Sequence, residues 1–268
     1  MGQGLPASVE AWHKPVFILF LLVWLTNWLV LLLGIRLQEG MRWVEALLPV
    51  TALATTLITL GRRLPMQSVL MVTALIAVFS GGIATVGAFS GVPFGPFTYR
   101  SGLGEKIFEV VPWGVPLLWV LLIVNARGVA RMMMRPWRTA SNYGFGVIGL
   151  TCLLVVLFDL GFEPFAVLVK DYWQWQTPER PGSWWPAPWV NLLGWLVSTL
   201  GILAFTSPWF IKKRPFKHPL DYQPLVVWLL MNGWVATGNA MHQLWAAVGV
   251  SFCGNLLVAI CALRGARR

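Results

Sequence analysis

PVFILFLLVWLTNWLVLLLG, residues 15–34, decides the class of this chain. It runs 20 residues without a charge. As a helix it matches the ~30 Å hydrocarbon core of a bilayer. It lacks a small-residue cleavage site, so it reads as a span rather than a secretory signal. Comparable runs recur along the chain. Eight spans are expected, near residues 15–34, 43–60, 66–89, 110–126, 143–163, 189–208, 223–239 and 243–263. The last pair requires residues 238–243 to turn sharply. The fold class is therefore an all-α integral membrane protein, one transmembrane helical domain over residues 1–268 with about eight helices, or seven. Composition agrees: 57% of the residues are hydrophobic and 11% charged, whereas a soluble domain is about a quarter charged.

The formal charge of +10 would suggest nucleic acid for a soluble protein. In a membrane protein, basic residues gather in cytoplasmic loops and face anionic lipid headgroups, so membrane lipid is the expected partner and nucleic acid is not. With eight spans, one side carries Lys14, Arg62, Arg63, Arg127, Arg131, Arg135, Arg138, Lys212, Lys213, Arg214, Lys217, Arg264, Arg267 and Arg268. That is 14 of the 20 basic residues. Arg36, Arg42, Arg100, Lys106, Lys170 and Arg180 fall on the other side. The positive-inside rule then puts both termini in the cytoplasm, in a prokaryotic inner or cell membrane. Glu10 and Asp221 share the basic side, while Glu39, Glu45, Glu105, Glu109, Asp159, Glu163, Asp171 and Glu179 lie towards the opposite side. The excess of acid there points to chemistry at the non-cytoplasmic face, or is what is left where basic residues are disfavoured.

Several chemistries are excluded by what is missing. Cys152, Cys253 and Cys261 sit in apolar runs without disulfide or metal spacing. The three histidines, His13, His218 and His242, are too few for a membrane di-iron site. No Asp-rich pair for Mg²⁺-diphosphate, Walker loop, dinucleotide glycine pattern or nucleophile elbow is present. The remaining carboxylates, Tyr, Asn and Trp suit proton chemistry on an apolar substrate without metal or cofactor. They equally suit a binding protein or transporter.

Two stretches stand apart from the spans. Residues 91–109, GVPFGPFTYRSGLGEKIFE, set Tyr99, Arg100, Glu105 and Glu109 among Gly and Pro, after a run of small residues over 80–91. The small residues suit close helix packing. Glu109 is expected just before the fourth helix, where the helix dipole favours a carboxylate. The second stretch covers residues 159–191. Asp159 and Glu163, four apart, share one helical face, and Pro164 marks a helix end or kink. Partly desolvated carboxylates this close are expected to keep one proton near neutral pH, as a general acid requires. An acid within a span is costly, which favours function for Asp159. Trp173, Trp175, Trp184 and Trp185 follow. They suit an interfacial belt or a cage stabilising a carbocation. Asn191 suits a helix cap or a water-orienting group.

These residues together resemble a known family. Gly91, Pro93, Gly95, Tyr99, Leu103, Gly104, Val111, Pro112, Val115, Pro116 and Trp119 form one pattern. Asp159, Glu163-Pro164, Trp173 and Trp175 form a second. Trp184, Trp185, Pro188, Asn191, Gly194 and Trp195 form a third. The set resembles the membrane carotenoid hydratases, the bisanhydrobacterioruberin hydratase and γ-carotene 1′-hydratase group of carotenoid biosynthesis proteins. The chain departs from the pattern in having Glu163 where that family has Asp, and Trp184-Trp185-Pro186 where it has a Tyr-rich pair followed by Gly.

The resemblance implies a membrane enzyme that adds water to the terminal double bond of an acyclic carotenoid ψ-end. On the residues themselves, Asp159 is the first choice of proton donor and Glu163 the second. Tyr99, Asn191 or the ionised partner acid would hold water, and Trp173, Trp175, Trp184 and Trp185 would surround a tertiary cation. Arg100, Glu105 and Glu109 are further substrate-binding candidates. The apolar partner is a carotenoid or isoprenoid, and the oligomeric state is open. A carotenoid end-group cyclase and a non-enzymatic lipid or carotenoid carrier or transporter stay open beside the hydratase.

Overall fold

The computed structural model describes residues 7–35, 43–100, 103–176, 183–211 and 220–267. Arg36, Glu39, Arg42, Glu179, Arg180, the basic cluster Lys212, Lys213, Arg214 and Lys217 with His218, and Arg268 lie outside the described residues.

Within the described residues the apolar runs form eight helices: α1 (Ala7–Leu32), α2 (Trp43–Gly61), α3 (Met66–Ser90), α4 (Gly114–Met133), α5 (Tyr143–Pro164), α6 (Trp189–Phe210), α7 (Gln223–Met241) and α8 (Trp245–Arg267). Seven are long and apolar enough to cross a membrane; α7 is the one outside that set. The reason is its place in the bundle. It packs against α1, α2, α4, α5 and α8, so it can carry the buried Asn232 and Asn239. The Asn232 amide donates to the Trp228 carbonyl at 3.0 Å and that of Asn239 to the Gly161 carbonyl at 2.8 Å. Lipid-facing α1 shows the opposite pattern, with Ile18, Leu22 and Leu25 exposed. Two indoles fasten it to α7: Trp24 Nε1 donates to the Leu230 carbonyl at 2.7 Å, and Trp28 Nε1 to Thr237 Oγ1 at 2.9 Å.

α4 runs through the centre and touches α2, α3, α5, α7 and α8. Lipid tails are as apolar as these side chains, so packing and interhelical hydrogen bonds hold such a bundle together. The fourth helix begins at Gly114 and reaches Met133, later at both ends than the expected 110–126. Val111 and Pro112 are apolar but extended, forming β3 (Val111–Pro112) against β2 (Lys106–Ile107). Glu109 therefore lies in the turn of this hairpin, exposed and with φ 60°, rather than at the helix start. At the other end, α4 continues through Arg127, whose guanidinium carbon lies 3.9 Å from the Phe210 ring centroid.

Alternation of the helices puts the start of α1 and the end of α8 at the same end. There Arg62 holds Glu10 at 2.8 Å and Asp221 at 2.9 Å. Arg135 Nη1 donates to the Ala266 carbonyl at 3.1 Å. At the opposite end the connections form short ribbons: β1 (Phe97–Tyr99) with β4 (Trp173–Trp175), and β5 (Ser183–Trp184) with β6 (Ala187–Pro188). Lys170 pairs with Glu45 there at 2.8 Å. The α7–α8 connection turns sharply, with Gln243 at φ 60°.

Candidate active site

The last turns of α5 set Asp159 and Glu163 on one inward face, 0% and 1% exposed. The helix then runs on from Pro164 as a wider π-turn over Phe165–Val169, which carries the chain round into β4. Alternate residues of a strand face the same way, and β1 and β4 are buried, exposed, buried along their three residues. Their antiparallel register sets Phe97 opposite Trp175 and Tyr99 opposite Trp173. Four aromatic side chains thus share the inner face, while Thr98 and Gln174 point outward.

Glu163 is the focus of this face. Its Oε1 accepts from Trp173 Nε1 at 2.9 Å and from Trp175 Nε1 at 2.7 Å. The Asn191 amide, on the first turn of α6 and 3% exposed, donates to Glu163 Oε2 at 3.2 Å and to Asp159 Oδ2 at 3.3 Å. One amide thus bridges both carboxyls. Asp159 Oδ1 is buried and has no hydrogen-bond partner among the described residues, a position that costs about 1–3 kcal/mol for a group that needs one.

Glu163, Asn191, Trp173, Trp175 and Tyr99 line a cavity of about 50 Å³, and Asp159 lies behind its wall. The rest of the wall is Ala84 on α3, Phe94 and Phe97 on the loop, Val115, Leu118 and Trp119 on α4, and Trp195 on α6. Trp119 and Trp195 stack with centroids 4.3 Å apart, and Phe94 stands 6.4 Å from each. Among the described residues, the lining contains no basic side chain. Burial, and then Glu163 when ionised, raise the Tyr99 phenol above the usual tyrosine range.

Close backbone contact seats the loop on the helices. Gly91 caps α3 in the left-handed conformation, its N–H donating to the Gly87 carbonyl. A Cβ on Gly194 would come within 2.8 Å of the Pro93 carbonyl oxygen. The small-residue run on α3 serves this packing: Gly87 faces Phe94 and Phe97.

Of the residues anticipated for the site, Asp159, Glu163, Asn191, Tyr99, Trp173 and Trp175 come together. Trp184 and Trp185 stand outside the cavity wall; Trp184 Nε1 donates to the Leu160 carbonyl at 2.8 Å, and its ring meets those of Trp185 and Trp189. Arg100 is exposed and turned towards Asp171, at 3.6 Å, and Gln174. Glu105 and Glu109 are exposed on the β2–β3 hairpin. Four aromatic wall residues, Phe94, Phe97, Trp119 and Trp195, were not anticipated as site groups. Trp119 and Trp195 carry a signal only as members of the family-like patterns, and Phe94 and Phe97 only as neighbours of Pro93, Gly95 and Tyr99 in the first of them. Among the described residues, no group of three or more His, Cys, Asp or Glu is placed to hold a metal ion.

The fold and this geometry define a polytopic membrane protein with a carboxyl pair at the wall of a buried aromatic cavity. The chain belongs to the carotenoid biosynthesis protein family, which it matches over residues 41–259. It is similar to a bisanhydrobacterioruberin hydratase of Haloarcula japonica, with 29% identity over 184 residues. That similarity covers 66% of this chain and 59% of the relative, so the chain spans less than two thirds of the relative's length. No solved structure matches it.

Proposed function

We propose that the protein hydrates the terminal double bond of an acyclic carotenoid ψ-end, with Glu163 and Asp159 as the acid pair. The observation that carries this reading is a buried carboxyl, Glu163, facing a cavity that is aromatic and aliphatic apart from Asn191, with a second carboxyl joined to it through that amide. The relative's name adds support, since that protein is a carotenoid hydratase.

In this mechanism the pair carries one proton. Glu163 faces the cavity and delivers it to the less substituted alkene carbon; Asp159, behind it, shares the charge through the Asn191 amide. A C–H bond forms as the π bond breaks, leaving a tertiary cation. The faces of Trp173, Trp175, Trp119 and Trp195 stabilise that cation by roughly 1–2 kcal/mol per desolvated ring. Water near Tyr99 and Asn191 attacks the cation and returns a proton to the carboxylate. The net change is addition of one water, giving a tertiary alcohol. A carotenoid is about as long as the ~30 Å hydrocarbon core, so it lies along the helices with only its end in the cavity. The arginine-rich end is assigned to the cytoplasm, and the site to the opposite face.

Expression in cells that accumulate a ψ-end carotenoid is expected to yield a product heavier by one water. Glu163→Gln and Asp159→Asn are each expected to lower product formation by about 100-fold or more, the range for loss of a general acid. Full activity in both variants overturns the mechanism. An isomeric product means cyclisation, and an unchanged ligand means a carrier.

A further inference from the structure

The end of the bundle away from the carboxyl pair holds a second cavity, of about 30 Å³, between α2, α4 and α7. Arg63, Arg127 and Arg131 line it, with the buried polar residues Asn125 and Thr59 deeper in. Among the described residues, none of these three guanidiniums has a carboxylate within ion-pair distance. Glu10 and Asp221 converge instead on Arg62, which binds Glu10 through two nitrogens at 2.8 and 3.0 Å and Asp221 at 2.9 Å.

Three like charges on one half-buried wall repel one another and call for a counter-charge. Burial, and then the neighbouring Arg131 charge, hold the Arg63 guanidinium below its usual range, against a smaller raising effect of Asp221. The Arg127 guanidinium carbon sits 3.9 Å from the centroid of the Phe210 ring, a cation–π contact that holds the group without pairing its charge with an anion.

We propose that this cavity binds a phosphate group, either that of an anionic membrane lipid or a free phosphate anion. Guanidinium forks match phosphate oxygens in pairs. The cavity admits a few water-sized groups at most, so phosphate oxygens enter and the remainder stays at the mouth, as suits a lipid whose chains remain in the bilayer. Basic pockets between membrane helices at headgroup depth are suited to such lipids.

The test uses the full chain in a maltoside detergent. It is titrated with short-chain phosphatidylglycerol, with phosphatidylcholine of the same chain length and with inorganic phosphate, read by thermal shift and native mass spectrometry. Saturable binding of phosphatidylglycerol but not phosphatidylcholine is expected. Binding of that lipid alone identifies a headgroup site, and binding of inorganic phosphate as well identifies a general phosphate site. The triple variant R63Q/R127Q/R131Q is expected to bind at least 10-fold more weakly. Arg138→Gln, which removes an exposed charge from the same end, is expected to change affinity less than twofold. Where the triple variant does not fold, each single variant is expected to lose at least threefold. The proposal falls if neither anion binds, if Arg138→Gln loses as much as the triple variant, or if none of the three positions affects affinity.

Discussion

Among the described residues, Glu163 is held by neutral donors: two indole N–H groups on one oxygen and an amide on the other. Removing one donor leaves a buried acceptor underserved, at about 1–3 kcal/mol. Trp175→Phe keeps most of the ring's bulk and loses the shorter of the two indole bonds. It is expected to lower turnover about 5- to 100-fold while leaving carotenoid binding within about threefold; equal turnover in variant and wild type would remove the indole from the mechanism. A second prediction concerns the tyrosines. Burial raises the phenols of Tyr99 and Tyr172, each with help from a nearby acid, Glu163 and Glu45 respectively. A phenol raised in the folded state contributes stability below the unfolded value of about 10, and that contribution is lost as pH climbs above it. Alkaline unfolding is therefore expected to accompany their ionisation. Phenolate absorbance followed against helix content checks this; Tyr99→Phe should remove one late-titrating phenol. Phenolate formation at both positions with the fold intact in the ordinary tyrosine range would contradict it.

At the scale of elements, the site depends on how residues 91–99 sit against α6. Gly194 leaves no room for a methyl group: a Cβ there would fall 2.7 Å from Phe94 Cδ1 and 2.8 Å from the Pro93 carbonyl oxygen. Gly194→Ala is expected to destabilise the protein by about 1–3 kcal/mol, seen as a lower midpoint of thermal unfolding. An unchanged midpoint would mean that the loop is free to shift. The carboxyl pair was legible in the sequence because ionisable groups inside an apolar span are costly and concentrate where chemistry is done, and a spacing of four puts both on one face. Asn191 was legible as a polar group at a helix start, although it serves the acids rather than the cap. The ribbon that closes the cavity was not. Phe-Thr-Tyr and Trp-Gln-Trp both alternate, but three-residue strands fall below the usual strand signal, and the β1–β4 pairing joins distant parts of the chain. Nor does local sequence separate Trp184 and Trp185 from Trp119 and Trp195. All four are tryptophans near span ends, and tertiary packing alone decides which reach the cavity. The start of α4 reads too early in the sequence because Val111 and Pro112 are as apolar as the span that follows.

For the whole molecule, hydropathy located all eight helices, and the outcome for α7 shows what hydropathy measures. Two buried asparagines, Asn232 and Asn239, donate to backbone carbonyls within the bundle, so α7 scores below its neighbours while keeping its place. The proposed orientation has a direct check. Gln176→Cys stands on the exposed side of the site, and Arg138→Cys on the arginine-rich end. A membrane-impermeant thiol reagent added to intact cells is expected to label the first, with the second labelled only after lysis. The reverse order would invert the protein in its membrane and place the site on the cytoplasmic face.

The two-stranded ribbon over the cavity works as a parity code. Phe97, Tyr99, Trp173 and Trp175 face inward because each pair is separated by an even step, with Thr98 and Gln174 taking the odd position. Deleting Thr98 would bring Phe97 and Tyr99 into adjacent positions, so one of them must turn to the polar outer face while its partner keeps its place. Changes of residue type at Thr98 or Gln174 preserve this code, whereas a change of length by one breaks it. The wall of the site is thus tolerant of spelling and intolerant of frame.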